Sequence, residues 1–136
     1  MQVSEIMHQG VKSVNVTDTI QAAAKIMKDF DIGSMPVYED SKPVGFLTDR
    51  DIVVSCVANG SSFEAPVSEA MTPEFISVKE GQDINEAARL MKDRQLSRVV
   101  VVDQKEQPIG IVTLQDISNN LTDENLKGEI LSEIKH

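Results

Sequence analysis

The chain has 136 residues, about the size of one ordinary domain. Its 40% apolar and 26% charged residues are the balance of a soluble globular protein. The formal net charge of −9 argues against general binding to DNA or RNA and against an anionic membrane surface, both of which need cationic contacts; it still permits a small anion held by a local arginine. No apolar run approaches the roughly 20 residues of a membrane span, the start Met1-Gln2-Val3-Ser4-Glu5 lacks a signal-peptide pattern, and Cys56 is the only cysteine. A cytoplasmic protein without an intrachain disulfide is the expectation.

The sequence says nearly the same thing twice. Val3-Ser4-Glu5-Ile6-Met7 returns as Val67-Ser68-Glu69-Ala70-Met71. Ile20, Ala23, Ala24, Met27, Lys28 and Asp29 return as Ile84, Ala87, Ala88, Met91, Lys92 and Asp93. After one inserted residue, Gly45-Phe46-Leu47-Thr48-Asp49-Arg50-Asp51-Ile52 matches Gly110-Ile111-Val112-Thr113-Leu114-Gln115-Asp116-Ile117. A repeat constrains everything read after it. Each copy of about 60 residues is marginal as a separate core, so the two are expected to form one folding unit. The boundaries read as repeat 1 over 1–60, a linker over 61–66, repeat 2 over 67–120 and a polar tail over 121–136. Asn59-Gly60-Ser61-Ser62 opens the linker region.

Each copy follows one grammar. An extended piece comes first, Val11 to Val16 and Phe75 to Val78. Thr19 and Asp83 then start helices, with Asp83 and Glu86 at capping-box spacing. Ile20, Ala23, Ala24, Met27 and Phe30 mark one helical face, as do Ile84, Ala87, Ala88 and Met91. Strands follow at Met35 to Tyr38 and at Val99 to Val102, the latter a β-branched run expected to be buried on both faces. Polar turns with proline, Asp40 to Pro43 and Gln104 to Pro108, lead into strands Val44 to Leu47 and Ile109 to Val112. Thr48 and Thr113 sit where strand gives way to helix. Ile52, Val53, Cys56 and Val57 are expected to supply the apolar face of the first such helix. In the tail, Leu126, Ile130 and Ile134, with Leu131 beside them, predict a short amphipathic helix that packs on its own protein or on a twin subunit.

The Gly-x-x-Thr-x-x-Asp segments carry the chemistry. Gly45 and Gly110 lack a Cβ, so a ligand or another backbone can come close. A carboxylate can accept from both hydroxyls of a ribose, and a helix start suits a phosphate. Thr-x-x-Asp is equally a helix cap, and the two roles can coexist. Arg50 and Arg98 are the candidates for a phosphate; Gln115 and Ser34 stand at their counterparts, so the two half-sites are unequal.

These segments resemble a pair of cystathionine β-synthase (CBS) domains, together a Bateman module. The resemblance covers about residues 1–120 and rests on Ile32-Gly33-Ser34-Met35-Pro36-Val37 and on Gly45 to Ile52. It implies an α/β (α+β) fold of two β-α-β-β-α repeats packed through their sheets with pseudo-two-fold symmetry. It implies that an adenosine compound (AMP, ADP or ATP, with NAD or S-adenosylmethionine as further possibilities) binds in clefts between the repeats. Thr113 and Asp116 would hold a ribose beside Lys12, Ile32, Gly33 and Ser34; Thr48 and Asp51 would do so beside Ile76, Leu96, Ser97 and Arg98. Homodimers are the common assembly of such modules. Gly33 and Gln115 depart from the basic residues that some members carry, which weakens the case for a triphosphate in both sites.

The expected function is therefore that of a regulatory sensor read by an unidentified target protein. The alternative is a structural or protein-interaction CBS pair in which Thr48, Asp51, Thr113 and Asp116 are caps only. An enzyme has little support: His8 and His136 lie in no metal-ligand pattern, Cys56 falls on an apolar helix face, and no nucleophile elbow or phosphate loop is present. RNA binding near Arg94 and Arg98 runs against the acidic total.

Overall fold

The computed structural model describes residues 1–133, so Ile134 and His136 lie outside the described residues. In chain order the elements are β1 (His8–Gln9), β2 (Val14–Asn15), α1 (Ile20–Phe30), β3 (Ser34–Glu39), β4 (Lys42–Thr48), α2 (Asp49–Ile52), β5 (Ser77–Lys79), α3 (Ile84–Arg94), β6 (Arg98–Val102), β7 (Pro108–Thr113), α4 (Leu114–Asn120) and α5 (Glu124–Glu133). This is a mixed α+β fold, with two sheets and five α-helices among the described residues, as the sequence grammar implies. Two compact units emerge. The first is Lys12–Phe75; the second joins Met1–Val11 to the chain from Ile76 onward. The units thus exchange the leading segments of the two repeats: Val67 belongs to the core of the first, Val3 to that of the second.

In the first unit, Thr19 caps α1 by accepting from the Ala22 N–H at 3.0 Å. Ile20, Ala23 and Met27 turn inward. β2 runs parallel to β3 across α1, and β3 turns back antiparallel into β4 through Asp40 and Ser41, both at positive φ. α3 repeats this arrangement with Ile84, Ala87, Ala88 and Met91 buried. β5 is parallel to β6, β6 is antiparallel to β7, and β1 adds a fourth strand on the outside of β7. Val99 to Val102 are all at most 3% exposed, as their β-branched run requires.

Three expectations need correction, and a fourth is met. Phe30 is 54% exposed, because α1 ends there in a left-handed Asp31 (φ 52°), and the ring carries Lys12 Nζ 4.2 Å above it. Asp83 caps α3 through Asn85, whose backbone N–H and side-chain amide both donate to Oδ1 at 2.9 and 2.8 Å; that pair replaces the Glu86 capping box read from the spacing. After α2 the helix widens into a π segment over Val53–Ala58, so a 3.6-residue period no longer holds: Ser55 is buried while Val53 and Val57 are exposed. Cys56 is only partly buried there. The predicted tail helix exists as α5, and it packs on its own chain: Leu126 and Ile130 join the core of the second unit.

Candidate functional site

Both Gly-x-x-Thr-x-x-Asp segments place their glycine in a strand and their Thr and Asp around the first turn of the following helix. In the first unit Thr48 Oγ1 accepts from Asp51 N at 3.1 Å, and Asp51 Oδ2 accepts from Thr48 N at 2.9 Å. In the second unit Thr113 Oγ1 accepts from Asp116 N at 3.1 Å, and Asp116 Oδ2 accepts from Thr113 Oγ1 and N at 2.7 and 3.4 Å. Each is a reciprocal capping box. The capping role is therefore real, and the Asp carboxylates are held with one oxygen engaged. Among the described residues no group donates to Oδ1 of either.

The glycines answer the question of what comes close. A Cβ on Gly45 would lie 2.7 Å from the Thr72 carbonyl oxygen and 2.9 Å from Met71 Sδ. One on Gly110 would lie 2.6 Å from Met7 Sδ and 3.0 Å from the His8 carbonyl oxygen. The neighbour is another backbone with its methionine. Phe46 and Thr72 exchange backbone hydrogen bonds of 3.0 and 2.9 Å, and β1 lies on β7 in the equivalent place. The recurring Met7 and Met71 are thus the partners of the recurring glycines.

The residues ahead of each β-hairpin also find a structural place. The Gly33 carbonyl accepts from Asp49 N at 2.9 Å, and the Ser97 carbonyl accepts from Leu114 N at 2.8 Å, so each tethers the helix that follows its Thr. Buried Ser34 is the cross-strand partner of Thr48, and Arg98 is that of Thr113. Directly opposed residues share a sheet face. Within the first unit Ile32, Gly33 and Ser34 therefore gather by Thr48 and Asp51; within the second, Leu96, Ser97 and Arg98 gather by Thr113 and Asp116. Ile32 packs on the first core, Ile76 and Leu96 on the second. Arg50 is exposed on α2, and Lys12 is exposed over Phe30.

Arg98 has an unusual environment. Its Nε is buried and meets no acceptor among the described residues. Such a donor is normally matched, because leaving it dry is costly.

One residue was missed from the sequence. His8 Nε2 lies 2.8 Å from Asp116 Oδ2, reaching it from β1. Nothing in the repeat signals this, since the matching position is Thr72; only the pairing of β1 on β7 brings His8 to the second helix start. Burial pushes the Asp116 carboxyl up, but hydrogen bonds from Thr113 and His8, with the charge of a protonated His8, outweigh it and leave the group below its ordinary value. Among the described residues, no three His, Cys, Asp or Glu side chains gather as a metal site, and no helix is long and apolar enough to cross a membrane.

Comparison with known proteins adds identity to this geometry. The CBS domain family model matches residues 3–57 and again 67–123. A CBS domain-containing protein from Bacillus subtilis, YhcV, is 37% identical over 134 residues, covering 98% of this chain and 95% of its own. The crystal structure of a conserved CBS domain protein of unknown function from Thermoplasma acidophilum aligns with a TM-score of 0.82 at 30% identity, over 98% of this chain and 75% of that one. The CBS domain pair of protein MJ0100, solved in complex with 5′-methylthioadenosine and S-adenosyl-L-methionine, aligns with a TM-score of 0.76 at 29% identity, over 88% of this chain and 94% of that one.

Proposed function

Because the chain belongs to the CBS domain family, whose paired domains form a regulatory module, we propose that it is a ligand sensor for an adenosine-containing compound of the AMP, ADP or ATP class. Thr48 with Asp51 and Thr113 with Asp116 hold the two ribose hydroxyls, each carboxylate accepting through the Oδ1 that its capping box leaves open and through the Oδ2 that the box also uses. Arg98 takes a phosphate, with Arg50 as a second, more exposed cation. Lys12, Ile32, Gly33, Ser34, Ile76, Leu96 and Ser97 supply the surroundings of the adenine. The chain is not an enzyme in this reading. It acts in the cytoplasm as a homodimer and signals to a target protein by a change of conformation or assembly. Such a change requires that the ligand bind one state more tightly than the other.

Arg98 is the observation that carries the reading. A buried guanidinium nitrogen without an acceptor, on the strand position opposite Thr113, supports an anionic group arriving beside the ribose site. The adenosine ligands of the MJ0100 pair support the nucleoside half. NAD and S-adenosylmethionine remain candidates on the same chemistry.

A second reading has its own support. Both Thr–Asp pairs are complete capping boxes without any ligand, which suits a structural or protein-interaction pair. Isothermal titration with AMP, ATP, NAD and S-adenosylmethionine separates the two. The sensor reading expects micromolar binding of at least one, lost in Asp116→Ala or Arg98→Ala while the fold survives. Absence of heat with all four, and capping losses of about 0.5–2 kcal/mol as the only effect of the substitutions, would establish the structural reading instead.

A further inference from the structure

The two Thr–Asp pairs differ in two contacts to the carboxylate, one from the threonine hydroxyl and one, from His8, that comes from outside the motif. Asp116 Oδ2 lies within hydrogen-bond reach of three donors: Thr113 Oγ1 at 2.7 Å, Thr113 N at 3.4 Å and His8 Nε2 at 2.8 Å. Asp51 Oδ2 has only Thr48 N, at 2.9 Å, among the described residues. A carboxylate oxygen offers about two lone-pair sites; with Thr113 N at a long 3.4 Å, Thr113 Oγ1 and His8 Nε2 are the donors that fill those of Asp116 Oδ2. A vicinal diol that engages both oxygens must displace a donor. Thr113 is bound into the same helix start. His8 comes from β1, and its side chain is 69% exposed, so it is the donor free to leave. At the matching position Thr72 uses its backbone to pair with Phe46 and carries no imidazole.

We propose that His8 is a proton-dependent gate on Asp116, so that this half-site takes a diol more tightly as the imidazole loses its proton, while the half-site at Asp51 has no such dependence. The inference rests on the nucleotide reading above. A protonated imidazole holds the carboxylate by a charge-assisted bond; a neutral one holds it more weakly. Imidazole is the side chain that makes this change between about pH 5 and 8. The elements that meet His8 offer no competing charge: β7 carries no ionisable side chain, and α4 carries only Asp116. On its own segment, Glu5 turns back to the Gln2 N–H. Arg98 stands on the next strand, opposite Thr113. Asp116, which burial would raise but the hydrogen bonds from Thr113 and His8 hold below its ordinary value, presents the carboxylate that a charge-assisted bond requires.

The test uses adenosine, which has a diol and no phosphate to confuse the charge effect. Its affinity is measured calorimetrically from about pH 5.5 to about pH 8 in the native chain, in Asp51→Ala and in each of these with His8→Gln. In Asp51→Ala the affinity is expected to rise about three- to fivefold over that range, the scale of an exposed ion pair, and His8→Gln is expected to flatten the profile at the higher affinity. Should Asp51→Ala not fold, the native chain with and without His8→Gln reads the same slope. A flat profile with His8 present, or a slope that survives His8→Gln, overturns the gate and leaves the nucleotide site standing. No adenosine binding at any pH overturns the gate, whereas the nucleotide reading falls only if AMP, ATP, NAD and S-adenosylmethionine also give no heat.

Discussion

The two units build the same local device and finish it differently. Each has its Gly against a methionine-bearing segment, its Thr–Asp capping box and its first helix amide tied to a preceding carbonyl. The helices that grow from those caps then part ways. In the second unit α4 buries Leu114 and Ile117, and α5 adds Leu126 and Ile130 to the same core. In the first unit α2 passes into the π segment, and Val53, Val54 and Val57 are left 54%, 42% and 78% exposed. The lesson is that caps and close approaches are dictated within each motif, whereas burial of the helix that follows depends on what the chain supplies next.

The sharpest way to break that comparison is at Ile130. It is fully buried in α5, which has no counterpart in the first unit. Ile130→Ala is expected to lower stability by about 2–5 kcal/mol, the range for a large-to-small core change. Val57→Ala, on the exposed π segment, should stay within about 0.5 kcal/mol. Urea unfolding of both variants reads the difference. Equal losses would mean that the exposed valines are as well packed as the α5 core, and the contrast between the units would fail.

The glycines give a smaller effect and a finer contrast. Gly45→Ala and Gly110→Ala each force a Cβ into a close neighbour, at an expected loss of about 1–3 kcal/mol. Gly45→Ala should lose more. Its new Cβ meets a backbone carbonyl at 2.7 Å, whereas that of Gly110→Ala meets first the thioether of Met7, which can rotate away, and then the His8 carbonyl at 3.0 Å. Thermal unfolding of the pair ranks them, and a larger loss at Gly110 would show that the methionine is not free to move.

Much of this was legible in the sequence because its signals are local. The apolar spacing of α1 and α3, the valine run of β6 and the Thr–Asp spacing are each determined within a dozen residues. What escaped depends on contacts between distant segments. Gly45 and Gly110 pointed to a close approach without saying by what; the answer lies in Met71-Thr72 and Met7-His8, brought in by strand pairing. The segment exchange that gives Val3 to one core and Val67 to the other leaves no trace in composition. The π segment escaped because Ile52, Val53, Cys56 and Val57 fit an α-helical period that the backbone abandons. Left-handed Asp31 and Gln95 end α1 and α3 without the glycine that usually marks such a stop. His8 escaped because histidine motifs are sought in sequence neighbours, and its partner Asp116 is 108 positions away.

The smallest expected effect belongs to that pair and separates its two partners by acid. The Asp116 carboxyl is lower in the folded chain than in an unfolded one, since the hydrogen bonds from Thr113 and His8 overcome the opposing effect of burial. A carboxyl of that kind contributes stability that is fully present above its unfolded value, about 3.9, and is lost as pH falls through its lower folded value. Stability should therefore decline on acidification below about pH 4, and Asp116→Asn should make the decline shallower. His8→Gln should remove only part of the same slope, because Thr113 still donates to Oδ2. Urea midpoints of the three proteins across the acid range give the comparison. An unchanged slope in Asp116→Asn would mean that this carboxylate gains nothing from folding. A slope in His8→Gln as shallow as that of Asp116→Asn would assign the whole effect to the imidazole and leave the Thr113 hydroxyl without a share.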